Sequence, residues 1–147
     1  MNTNSLAAIV MTLVSTAPAL CLADGNGTLH VRVTGAEPQR GQVIASLFAS
    51  PEEYLQAPLE QAIGTVDASG TVVLRLGEHR PGEYAVVVIH DRNENGALGT
   101  GLFGIPREKV GFSNNAKGRF GPAGWDDARF ILNDADLQIE IRLTPAK

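Results

Sequence analysis

The segment Glu83-Tyr-Ala-Val-Val-Val-Ile89 is apolar at every position after the first. Read as a strand, it points Tyr84, Val86 and Val88 one way and Ala85, Val87 and Ile89 the other. Neither face then suits water, which places the strand centrally in a covered sheet. The chain next turns polar, Gly-rich and irregular: HDRNENGALGTGLFGIPREKVGFSNN, from His90 to Asn115. A functional site is expected in this stretch, because the other segments read as scaffold.

Those segments alternate with the period of two that marks a half-buried strand. From Thr28 to Thr34, Leu29, Val31 and Val33 share one face. From Leu137 to Leu143, Leu137, Ile139, Ile141 and Leu143 do the same. Gln42–Ala49 carries apolar residues on both sides, and Gly35–Gly41 before it reads as a turn. Ile63–Val66 and Thr71–Leu76 read as a hairpin closed by Asp67-Ala-Ser-Gly70, whose Gly supplies positive φ. Arg80-Pro-Gly-Glu83 has Pro and Gly in type II order. Ala128–Leu132 is a further short strand. Ser50-Pro-Glu-Glu53 carries a helix-start signature, with Tyr54, Leu55 and Leu59 aimed at the core and Pro58 limiting the helix to about two turns. About seven strands and one short helix predict an all-β fold: a single antiparallel β-sandwich, Ig-like or prealbumin-like.

The first 23 residues stand apart. Leu6–Leu22 is apolar and uncharged, and it ends in Cys21-Leu22-Ala23 before Asp24, a signal-peptide pattern that lacks a basic n-region. Pro18 and the short apolar run argue against a membrane anchor. Leu20 before Cys21 argues against lipidation. Residues 24–147 then form one domain that is periplasmic or secreted, spans no membrane and holds no cysteine, because the chain's single Cys lies in the removed segment. No disulfide can support its core. The net charge of −4 and the absence of a basic cluster exclude nucleic acid as an expected partner. Asn26-Gly-Thr28 fits a glycosylation sequon, which matters only in a eukaryotic secretory route.

Asp91-Arg-Asn93-Glu-Asn95-Gly96-Ala97-Leu98 follows the start of a calcium loop. Oxygens at alternate positions converge when the backbone curls around an ion, and Gly at the sixth position permits the sharp turn. Asp91, Asn93 and Asn95 would give side-chain oxygens, Ala97 its carbonyl, and Glu108 a carboxylate from a neighbouring segment, with Asp126 or Asp127 as substitutes. The pattern breaks at Gly99 and at Leu102, where a bidentate Glu belongs. A plain Asx turn accounts for the same residues without metal and is the preferred reading. Calcium, where bound, would be a weak structural staple.

Gly99-Thr-Gly101-Leu-Phe-Gly104 spells a dinucleotide fingerprint, but Pro106 follows and no helix opens to meet a pyrophosphate. A Ser113–His90–Asp triad lacks a nucleophile elbow. His30 points outward and His79 sits by a turn, so a three-His metal site is weak. His90 reads as a structural residue ending the central strand. Phe112, Phe120 and Trp125 fall near Asn114, Asn115, Lys117 and Arg119, and aromatics with amides and cations in a loop can form a binding surface. The candidate ligand surface is His90, Asn114, Asn115, Phe120 and Trp125, although rings covering the open end of the sandwich are the blander and preferred account.

Gly82-x-Tyr84, His90-Asp91-x-Asn93-x-Asn95-Gly96, Gly104-Ile-Pro-x-Glu108, Gly111-Phe-Ser-Asn-Asn-Ala116 and Phe120-Gly-Pro follow in order, with an Asp-Asp-Ala before a short strand. In this order and spacing the chain resembles a family of exported bacterial proteins known only as a domain of unknown function. The resemblance implies a small extracytoplasmic β-sandwich, similar in plan to transthyretin-like and carboxypeptidase-regulatory-like modules. It carries no activity. The family usually has an acid after the Leu of Asn-Gly-x-Leu, where this chain has Gly99.

The expected function is therefore that of an exported, non-catalytic accessory or binding domain for an extracytoplasmic ligand or protein, acting as a monomer. Two rivals stand beside it. A small hydrolase would bring His90, Asp91 and Glu108 together in an open cleft. A self-associating envelope protein would pair through an edge strand.

Overall fold

The computed structural model describes residues 25–96 and 108–146. The segment expected to be a signal peptide, Ala97 and the Gly99–Gly104 run lie outside the described residues. Within them the fold is all-β, with nine strands in two sheets and one short helix. The strands are β1 (Gly27–Thr34), β2 (Gln42–Phe48), β3 (Glu60–Thr65), β4 (Val72–His79), β5 (Gly82–Asp91), β6 (Lys109–Phe112), β7 (Phe130–Leu132), β8 (Leu137–Arg142) and β9 (Thr144–Pro145). The smaller sheet runs β4-β1-β8; the larger runs β3-β2-β5-β6-β9, with β7 also on β5.

The alternating strands bury what their pattern predicts. Leu29, Val31 and Val33 of β1 meet Leu74 and Leu76 of β4 and Ile141 of β8 in the main core. Val43, Ala45 and Leu47 of β2 and Val86 and Val88 of β5 close it from the opposing sheet. The other face of β5 is also covered, but not by a sheet. Ala85 and Val87 pack with Phe48, Tyr54, Phe112, Ala123 and Ala128 in a second cluster. This third layer of turns and one helix explains why β2 and β5 are apolar on both faces.

Several local expectations are corrected. The sandwich is not purely antiparallel, because β1 pairs with β8 in parallel. The segments before and after Asp67–Gly70 form no hairpin: β3 joins β2 and β4 joins β1, so the turn carries the chain between sheets. Gly70 does take positive φ, at 75°. Ser50 accepts a hydrogen bond from the Glu53 amide, as a cap should, but no helix follows, because Leu55 turns left-handed at φ 63°. Tyr54 is buried there, while Leu59 is exposed. The helix that does form is α1 (Trp125–Ala128). Gly82 is not left-handed, so the Arg80–Glu83 corner is not type II. The Tyr84 hydroxyl holds that corner instead, donating to the Arg80 carbonyl at 2.8 Å.

Two sheet margins are engaged by side chains. Along the β3–β4 side, Glu60 accepts from the Gly77 amide at 3.1 Å and pairs with His79 at 2.8 Å. Gly64 lies so close to β4 that a Cβ there would come within 2.6 Å of Leu74. On β8, the Asn115 side chain behaves like one more strand residue: it accepts from the Arg142 amide at 2.8 Å and donates to the Glu140 carbonyl at 3.4 Å. Occupied margins resist strand addition by another chain.

Candidate functional site

β5 ends in His90 and Asp91, and both side chains are buried, at 0% and 2% exposure. The His90 Nε2–H donates to the Arg40 carbonyl at 2.7 Å. A carbonyl only accepts, so this contact places a proton on Nε2. Among the described residues Nδ1 has no hydrogen-bond partner. His90 thus ends the central strand, as its position suggests, but it fastens the turn before β2 rather than the loop that follows it.

Asp91 forms a knot at the same end. Its carboxylate accepts from the Gln42 amide group at 3.0 Å, the Gly96 N–H at 3.0 Å and the Asn95 N–H at 3.3 Å. Gly96 takes φ 63°, the left-handed turn expected of that glycine. Burial works to raise the Asp91 carboxyl, but these hydrogen bonds and one from the Glu94 backbone outweigh it and hold the group below its ordinary value. Gly41 lets the β1–β2 turn lie directly on this strand end, since a Cβ there would come within 2.3 Å of the Asp91 carbonyl.

Glu108 comes in from the other side of the 97–107 stretch, at 7% exposure. Its burial and the charge of Asp91 raise its carboxyl above the ordinary value; the Arg92 backbone N–H, His90 and the Arg92 side chain pull the other way, less strongly. The structure therefore brings His90, Asp91 and Glu108 into one neighbourhood, as the hydrolase reading requires, but buries all three, where that reading expects an open cleft. Asn93 and Asn95 are exposed in the loop above. No group of three or more His, Cys, Asp or Glu side chains among the described residues is arranged to hold a metal. Glu108→Gln removes a buried anion that faces another. The folded-state carboxyl is raised, so the stability it contributes is complete below its unfolded value and is lost as pH rises through its folded value. The substitution is accordingly expected to raise the thermal midpoint at pH 8 and to lose that gain below pH 4, in scans across pH.

The Gly111-Phe-Ser-Asn-Asn-Ala116 run, read from sequence as part of a ligand surface, serves a different purpose. Strand β5 changes partner along one edge: β7 pairs with Gly82–Tyr84 and β6 with Val87–Ile89. Ser113 fills the gap between them. Its buried hydroxyl oxygen accepts from the Val86 N–H at 2.9 Å and its proton goes to the Ala128 carbonyl. Asn114 donates to the carbonyls of Asp127 and Arg129 at 3.1 and 2.8 Å. Asn115 caps β8, as described above. Both asparagines are left-handed, at φ 59° and 49°. The Asn114 NH2 and the whole Asn115 amide substitute for strand partners. Sequence reasoning missed this junction; the adjacent Asn-Asn, a pair that tolerates left-handed backbone, was the available signal.

The last loop is anchored and then exposed. Tyr54 donates to the Ala123 carbonyl at 2.9 Å and packs edge-on against Trp125 at 5.7 Å between ring centroids. Burial, and then the Asp127 charge, push its hydroxyl pKa up, so it stays a donor. Trp125 is half-buried in this contact, whereas Phe120 is 103% exposed. Of the five residues expected to form a ligand surface, Phe120 alone presents an unengaged side chain.

Compared with known proteins, the chain matches the model of a family described as an uncharacterized protein conserved in bacteria (DUF2141), over residues 31–140. No curated protein and no solved structure matches it. Ser113→Ala would strand the Val86 N–H inside the protein. It is expected to cost about 1–3 kcal/mol in urea unfolding, with hydrogen exchange at the Val86 amide accelerated before that of β1.

Proposed function

The chain belongs to this bacterial family, and on that premise we propose that it is an exported, non-catalytic β-sandwich that binds an extracytoplasmic partner through its 117–125 loop. One contrast carries the reading. The residues with catalytic chemistry, His90, Asp91, Glu108 and Ser113, are buried, and His90, Asp91 and Ser113 are engaged by backbone groups; Phe120 is a large apolar side chain held entirely in solvent. Buried polar groups bound to backbone specify a rigid end of a domain. An exposed ring on that rigid end is a contact surface. Export rests on the apolar Leu6–Leu22 segment. The occupied margins at β3–β4 and β8 support action as a monomer. Among the described residues no helix is long and apolar enough to cross a membrane.

A photoreactive phenylalanine analogue placed at 120 tests the reading in intact producing cells. A defined adduct at 120, absent when the analogue is placed at the exposed Val73 of β4, is expected. No adduct, or the same adducts at both positions, would remove the loop as a binding surface.

Calcium belongs to the same proposal as a staple. Asp91 and Glu108 are buried like charges, and a divalent ion between them would relieve the repulsion that raises Glu108. Asn93, Asn95 and the Ala97 carbonyl would complete the oxygen set. Asp91 already accepts three hydrogen bonds and a further one from the Glu94 backbone, so an ion would have to displace one of them, which implies weak binding. With a dissociation constant near ~0.1 mM and ~1 mM ion the gain is about 1.4 kcal/mol. Calcium should then raise the unfolding midpoint by a few degrees over chelator, and both Asp91→Ala and Glu108→Gln should abolish the rise. A midpoint indifferent to calcium makes Asp91–Gly96 a plain turn.

A further inference from the structure

The loop from Ala116 to Trp125 is built to hold one dipeptide away from the protein. Gly118 touches the far side of its own turn: a Cβ there would lie 1.9 Å from the Gly121 carbonyl oxygen and 2.5 Å from that of Pro122. Gly121 takes φ 144°, a conformation that L side chains rarely adopt. Both glycines close the turn, and closure leaves Arg119 and Phe120 at its tip. Below the tip, Ala123 is buried and receives the Tyr54 hydroxyl, so the turn stands on a fixed base.

The surrounding charge has one sign. Ser113 to Trp125 contains Lys117 and Arg119 and no acid, in a chain whose net charge is −4. Both cations are exposed, and among the described residues neither has a carboxylate within ion-pair distance. Of the two acids that follow, Asp126 is paired with Arg129 at 3.5 Å, and Asp127 lies beside Tyr54.

We propose that this tip is a membrane-contact device: Phe120 enters the headgroup region of an anionic bilayer while Lys117 and Arg119 meet lipid phosphates. The proposal rests on the binding-domain reading and names its partner. A protein partner needs on the order of 800 Å² from each side and a reciprocal pocket, whereas the residues flanking Phe120 are Gly118, Gly121 and Pro122. A glycan would call for hydrogen-bonding side chains beside the ring, and the nearby Asn114 and Asn115 amides are already engaged by backbone. A bilayer surface needs neither pocket nor hydrogen-bond pattern. It accepts an aromatic ring at headgroup depth and rewards each nearby cation. One ring and two cations give weak, reversible attachment, half-complete at accessible lipid on the order of 1 mM.

The test uses protein recovered from producing cells and vesicles of phosphatidylethanolamine with one-third phosphatidylglycerol (about 30%, enough to set a negative surface potential). Trp125 is the sole tryptophan, so its emission reports on this loop without interference. Expected are co-sedimentation with the anionic vesicles and a shift of Trp125 emission, both weakened by high salt and absent with phosphatidylcholine. Phe120→Ala should cut binding about tenfold with an unchanged thermal midpoint, because the ring contributes no buried area. Lys117→Gln with Arg119→Gln should remove the preference for anionic lipid. No binding at several-fold higher lipid, equal binding to both vesicle types, or full binding by Phe120→Ala would overturn the proposal. A protein adduct at position 120 in cells together with no vesicle binding would overturn the lipid assignment and leave the binding domain standing.

Discussion

Strand β5 sets the terms for the rest of the molecule. Its residues from Tyr84 to Ile89 are apolar on both faces, and a strand of that kind needs cover above and below as well as partners on both edges. The smaller sheet covers one face. Nothing sheet-like is left for the other, so the chain assembles a layer from the turn at Tyr54, the Ser113 junction and α1. Pairing is equally demanding. β2 takes one edge from Ala85 to Asp91, but the other edge is shared by two short strands, and their join leaves the Val86 N–H without a strand partner. In the interior that donor would cost about as much as any single contact contributes. The Ser113 hydroxyl occupies the join. The conspicuous Gly-Phe-Ser-Asn-Asn motif is, in physical terms, the repair of an interrupted ladder: one hydroxyl and two amides take the places of missing strand residues.

The same logic separates what could be read from the sequence from what could not. Period-two alternation depends only on which side of a strand is buried, so β1 and β8 were legible residue by residue, and so was the central place of β5. Pairing depends on where the chain goes next. Asp67-Ala-Ser-Gly70 has hairpin chemistry and makes a tight turn, with Gly70 left-handed as that chemistry requires. The turn nevertheless swings the chain from one sheet to the other: β3 pairs with β2, and β4 with β1. The parallel β1–β8 pair was invisible for the same reason. Ser50 shows the opposite failure: its cap is present, and a single left-handed residue, Leu55, withdraws the helix the cap announces.

Site residues divide along the same line. Residue type singled out His90, Asp91 and Glu108, which do come together. It could not indicate exposure, and exposure decides whether such a group meets a substrate or holds a scaffold. Asn114 and Asn115 looked like hydrogen-bonding surface and are spent on backbone, a fate that depends on β8 and α1 lying within reach. The strand β6, inside the stretch read as irregular, was obscured by its brevity and by Gly111, whose missing side chain admits Ile141.

A division of labour follows from this placement. Polar groups at the end of β5 are costly to bury, and the domain recovers that cost by converting them into backbone fasteners. The knot at Asp91 fastens the β1–β2 turn through Gln42; the junction at Ser113 fastens the segment leading to Trp125. A loop that hangs from such fasteners can project a side chain without losing position, since the order is supplied from below. Phe120 gains nothing from folding: it buries no area and touches no core residue. An apolar ring in water is unfavourable by itself, yet the surrounding turn spends two glycines on holding it there. The Tyr54–Ala123 anchor, the closed Gly118–Gly121 turn and the unopposed cations make sense together only when the ring's favourable environment lies outside the protein.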